Sequence, residues 1–181
     1  MDSNIIQIYG WRDLKLATIG AAAGAGTPSL ANFGATGGGA IKQMSFGIGD
    51  SIYSSGHIEH DYLIGSTVFP HVHWSTNGTN VNTVKWQITC IIAKSHDQDN
   101  FGNDVIITVE EAAAGTAWRH MLTEDTVGFD ALEPDALWLI ELKRISNGGT
   151  DNTDVVFGLY ADFHYQTMQY SSPNRTPNFY T

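Results

Sequence analysis

The strongest constraint on the fold is the strict alternation between Thr83 and Lys94. Val84, Trp86, Ile88, Cys90 and Ile92 occupy every second position, with Lys85, Gln87, Thr89 and Ile91 between them. A period of two places one set on a single face of an extended strand, whereas a helix would need apolar residues about every 3.6 positions. The same alternation returns from Ala136 to Ser146, with Trp138, Ile140 and Leu142 on one side. It returns again from Asp154 to Tyr170, where the reading places Val155, Phe157, Leu159, Ala161, Phe163 and Tyr165 on the core face. Shorter strands are expected near Ile41–Ile48, Ser51–Tyr62, Gly65–Thr76, Val105–Val109 and Ala117–Glu124, making about eight. Asn77-Gly78 and the run from Asn147 to Asn152 supply tight turns. The best helix candidate, Glu110–Ala114, is stopped by Gly115 after barely a turn, too short to stand alone. The expectation is an all-β chain, a jelly-roll-like β-sandwich of about eight strands.

Composition supports that class and divides the chain. Charged residues make up 15% of the 181 residues, against about 25% in an average soluble protein. Gly, Asn, Ser and Thr take their place, as suits many turns. Between Gly20 and Gly39 stand seven glycines and six alanines, a segment with little surface to bury and a large entropy cost on ordering. Residues 1–39 are therefore read as an extended Gly/Ala-rich N-terminal arm or strap, 40–170 as the sandwich and 171–181 as a C-terminal tail. Ile5, Ile6, Ile8, Trp11 and Leu14 give the arm an apolar surface to dock with. No Gly-x-x-x-x-Gly-Lys-Ser/Thr occurs, so the glycines are not a phosphate loop.

The charge excludes some partners. The net charge is −10, with nine Lys and Arg in no cluster, which argues against a nucleic-acid partner. No run approaches about 18 consecutive apolar residues, so no membrane span is expected. The N-terminus lacks the pattern of a signal peptide, which implies synthesis in a cytoplasm. Cys90 stands alone and reads as a small buried hydrophobe.

The unusual chemistry lies in Pro70-His-Val-His-Trp74. On a strand, His71 and His73 share one face, opposite Val68, Val72 and Trp74. Asp162 and His164 hold the equivalent position on the last strand, away from its core face. If the two strands are neighbours, His71, His73, Asp162 and His164 form one cluster. Such a cluster serves as an oligomer interface, as a buried polar group, or as a site for zinc, iron or manganese, with His71, His73 and His164 the candidate metal ligands. The interface is the favoured reading, with no cofactor and no catalytic residue. Glu110/Glu111 and Asp97/Asp99 read as solvated surface, and no Gly-x-Ser-x-Gly elbow anchors a hydrolase triad. Trp118, Trp138, Tyr160 and Tyr170 offer a sugar platform as a further alternative to core packing.

Two resemblances bear on function. Gly65 followed by His71-Val-His73 is similar to the start of the first cupin motif, which implies a jelly roll with a metal-dependent enzyme site. The likeness covers about nine residues; the glutamate expected four or five residues later is replaced by Asn77 and Gly78, and the second motif is missing near His164. Over most of the chain, a second set of motifs resembles a group of tailed-bacteriophage virion structural proteins. It comprises Trp11-x-Asp-Leu14, His60-x-Tyr62-x-x-Gly65, Pro70-His-Val-His-Trp74, Ala114-Gly-Thr-Ala-Trp-Arg-His120 and Asp162-Phe-His-Tyr165. This resemblance implies a non-enzymatic capsid decoration (cement) protein on the virion surface, a homotrimer bound to the major capsid protein. Ile5, Ile6, Ile8, Trp11 and Leu14 would then anchor the arm to the capsid. A neck or tail appendage, or a receptor-binding protein, is the alternative within the same class.

Overall fold

The computed structural model describes residues 9–15, 17–21, 26–34, 41–94, 97, 98 and 100–167. Twelve strands form two antiparallel sheets, with no helix among the described residues. The eight strands expected from periodicity are present as β4 (Lys42–Ser45), β5 (Ser51–His57), β6 (Thr67–Thr76), β7 (Thr83–Ala93), β8 (Val105–Ala112), β9 (Met121–Glu124), β11 (Leu137–Ile145) and β12 (Val156–Thr167). Four more are β1 (Gly10–Lys15), β2 (Ala17–Ala21), β3 (Ser29–Asn32) and the two-residue β10 (Phe129–Asp130).

The larger sheet is built on its two long strands. β6 and β12 pair along their length. The far side of β12 is shared by β1 and β4, and β3 continues from β4. The far side of β6 is shared by β9 and β10. The smaller sheet runs β2-β5-β11-β7-β8. Between the sheets lies the apolar layer that the alternation implies: Val68, Val72 and Trp74 from β6, Trp86, Ile88 and Cys90 from β7, Trp138, Ile140 and Leu142 from β11, and Ala161, Phe163 and Tyr165 from β12. Trp138 meets Phe163 across the gap at 4.1 Å between ring centres, and Phe46 meets Trp86 at 5.2 Å. Cys90 is fully buried, and burial pushes its thiol pKa up to about 12.

Three expectations need correction. Glu110–Ala114 is not helical. Its first three residues, to Ala112, complete β8, with Glu110 opposite Lys85 and ion-paired to it at 3.0 Å. A full ladder of backbone bonds to β7 outweighs the weak propensity of one unfinished helical turn. Residues 117 and 118 lie in a turn and 119 and 120 are irregular, so the strand expected from Ala117 starts only at Met121. The core face of β12 is right from Ala161 onward and wrong before it. The register slips between Gly158 and Tyr160, a bulge that puts Leu159 out of step. Val156 therefore faces the core, and Val155 is 42% exposed. Gly158 is required beside the bulge, since a Cβ there would lie 2.7 Å from Phe46. The segment read as an extended arm or strap supplies β1, β2 and β3 to the two sheets. Backbone pairing needs no apolar side chain, so small residues such as Ala17–Ala21 can join a sheet edge.

Candidate functional site

The outward face of β1-β12-β6-β9 gathers the chemistry. In this register His71 lies opposite Asp162 on one side and Glu124 on the other. His73 lies opposite Tyr160, and His164 opposite Asp13. Residues opposite one another on paired strands point the same way and touch. The pairing of β6 with β12 thus brings His71, His73, Asp162 and His164 together, with Asp13, Glu124, His120 and Tyr160 around them.

Although it faces away from the inter-sheet core, this group is buried. His71 is 0% and Asp162 1% exposed, and His73 and His164 are each 7% exposed. Burying so many polar groups is costly unless each finds a partner. His164 does so fully. Nε2 lies 2.9 Å from Asp13 Oδ1, and Nδ1 contacts the Glu124 carboxylate closely. Burial alone would lower the His164 pKa, but the two carboxylates outweigh it and raise the value to about 9. Its hydrogen bond in turn draws the Asp13 pKa down. For Asp162, burial pushes the pKa upward, and His71 and His73 together overcome it, leaving the carboxyl below its ordinary value. Asp162 is therefore held ionised.

His73 is fixed from two sides. Its Nδ1 shares a 2.7 Å hydrogen bond with Nε2 of His120, and its ring stacks on Tyr160 at 4.2 Å. That leaves Nε2 aimed at Asp162 Oδ1, 3.5 Å away. His71 is the exception. Its Nε2 is ion-paired in direct contact with Asp162 Oδ1, while its buried Nδ1 has no hydrogen-bond partner. Two sets of donor atoms lie within 4.8 Å of one another: Asp13, His71 and His164, and His71, His73 and Asp162.

The surroundings hold this face in place. Asp61 accepts hydrogen bonds from Arg12 at 2.6 Å and from Tyr165 and Thr167 at 2.9 Å, pinning β1 to the end of β12. The Trp74 indole donates to Thr123 Oγ1, which donates to Glu111, both at 2.7 Å. These bonds join β6 and β9 to β8 of the other sheet.

Of the residues read as arm anchors, Ile5, Ile6 and Ile8 lie outside the described residues. Trp11 and Leu14 are in β1, where Trp11 lies 5.7 Å from Phe69 and Leu14 is buried. Tyr170 also lies outside the described residues. Trp138 is core and Trp118 packs against Phe33 and Phe157, so these two do not form a sugar platform. Sequence reasoning missed Asp13, His120 and Glu124 as members of the cluster. A signal for two of them existed: Asp13 stands in Trp11-x-Asp-Leu14 and His120 closes Trp118-Arg-His120, both among the motifs of the phage resemblance. No known protein family matches the chain, and no curated protein matches its sequence.

Proposed function

We propose that this chain is a non-enzymatic bacteriophage virion component, a capsid decoration protein that sits on the head as a homotrimer. The observation that carries the reading is the outward face of the smaller sheet. Tyr53, Leu137, Leu139 and Ile106 lie there 38–61% exposed. They occupy neighbouring positions on β5, β11 and β8, with Ile91 on β7 between them. Tyr53, Ile91 and Leu139 line a shallow groove of about 370 Å³ together with Thr89, Asp104 and Glu141. A contiguous apolar area on an open sheet face, rimmed by polar groups, is suited to a protein surface such as a capsid lattice or a second copy. The motif residues behind the resemblance support the same reading. Asp13, His71, His73, His120, Asp162 and His164 are spent on packing one sheet face, with His71 and Asp162 fully buried. Turnover would need a position open to substrate.

The test is to raise an antibody to the chain and label particles assembled from the same genome, alongside light scattering of the purified protein. Regular gold label over the heads and a mass of three chains are expected. Label confined to the neck or tail would replace decoration with an appendage role. Absence of the chain from purified particles would overturn the reading.

A further inference from the structure

We propose that His71, His73 and Asp162 bind one divalent transition-metal cation, a structural ion that ties β6 to β12. The first argument is how little satisfies His71. Its ring is 0% exposed, its Nδ1 has no hydrogen-bond partner, and its Nε2 meets only Asp162, a state that native cores rarely accept. Asp162 Oδ1, equally buried, has only the nitrogens of His71 and His73 beside it. Both atoms face one point, where a shared cation would satisfy them together.

The second argument is the donor set and its spacing. Two imidazole nitrogens and one carboxylate oxygen suit zinc, iron(II), cobalt(II) or manganese(II). In a tetrahedral zinc site with bonds of about 2.0–2.1 Å, donor atoms stand roughly 3.3 Å apart. His73 Nε2 and Asp162 Oδ1 are 3.5 Å apart, close to that spacing. His71 Nε2 touches the same oxygen and would stand back from it once an ion lay between them.

The third argument is the support around the ring of His73. Metal-bound histidines are usually oriented by a hydrogen bond at the other ring nitrogen. His120 provides one at 2.7 Å and leaves Nε2 of His73 facing the site. This also separates the proposed trio from the overlapping one. Both nitrogens of His164 are already held, by Asp13 and Glu124, so His164 is a cationic strut beside the metal and not a ligand. His120, on the exposed side, acts as a positioning residue.

The experiment uses the full chain, stripped with a chelator and titrated with cobalt(II) and zinc(II). One equivalent of cobalt should develop the visible absorption of a low-symmetry nitrogen and oxygen site, and zinc should displace it. Zinc should also raise the melting temperature of stripped protein. Asp162→Asn should weaken zinc binding at least ~100-fold, and His120→Ala, at an exposed position, roughly 10-fold with the fold intact. Absence of cobalt absorption and of bound zinc in folded wild-type protein would overturn the proposal. So would zinc bound equally well by wild type, Asp162→Asn and His73→Gln, since that places the ion elsewhere.

Discussion

The two outward faces of the sandwich invert the usual arrangement in opposite ways. On the larger sheet, the face turned away from the core hides three histidines and Asp162 from water. On the smaller sheet, the corresponding face shows Tyr53, Leu137, Leu139 and Ile106 to it. An ordinary two-layer β protein has one wet polar side per sheet. Here polar groups are buried where they are costly, and apolar groups are exposed where they gain nothing in the isolated chain. The first pattern makes sense as internal bracing between strands, the second as a surface waiting for a partner. A substitution on the first face should therefore cost folding stability, and one on the second should cost association.

The contrast breaks first at Asp162. Asp162→Ala removes the carboxylate common to His71 and His73, and leaving two buried imidazoles without that partner costs about 1–3 kcal/mol for each. Urea denaturation should show that loss, and a change below about 1 kcal/mol would mean that the cluster braces nothing. Next comes the bulge that sets the parity of β12. Gly158→Ala forces a methyl against Phe46 and should cost about 1–3 kcal/mol in the same assay. A neutral result would show that β12 can shed the bulge.

The third prediction concerns pH in chelator-treated protein. The folded His164 pKa of about 9 lies above the unfolded value of about 6.5. Its contribution is therefore complete below about pH 6.5 and is lost as the pH rises through about 9. The wild-type urea midpoint should fall across that window, and in His164→Gln the fall should be shallower. Identical profiles would place the responsible group elsewhere. The smallest effect on folding is expected from Leu139→Ser. It should stay within about 0.5 kcal/mol of wild type, as exposed positions usually do, while reducing binding to capsids or to a second copy. Unchanged association together with lost stability would reverse the assignment of the two faces.

Much of this was legible in the sequence because a two-residue period is a local signal. It located β7, β11 and the far half of β12, and it put His71 and His73 opposite Trp74. Asp162 and His164 could be joined to them only on the condition that β6 and β12 are neighbours, which no local pattern states. The bulge at Leu159 was illegible for a related reason. A one-residue slip leaves the apolar content of the strand unchanged and alters only which face each residue takes. β2 and β3 escaped notice because Gly- and Ala-rich segments carry no face at all, and β1 because its apolar residues were read as a docking surface. Asp13 and Glu124 entered the cluster through strand register, a property of pairs of segments and of neither one alone.

The Asp61 knot has a mechanical consequence. Gly10, where β1 begins, sits directly across from Thr167, where β12 ends, and the strands run antiparallel from there. Tension that separates these two points does not shear the ladder. It peels the pair open from Gly10 and Thr167 inward, loading one rung at a time. Arg12, Tyr165 and Thr167, all gripping Asp61 near that end, form the rivet that such a force meets first. Beyond the rivet, the next rungs to open are those of Asp13 with His164 and Lys15 with Asp162, so a pull on the termini would reach the buried cluster within a few residues.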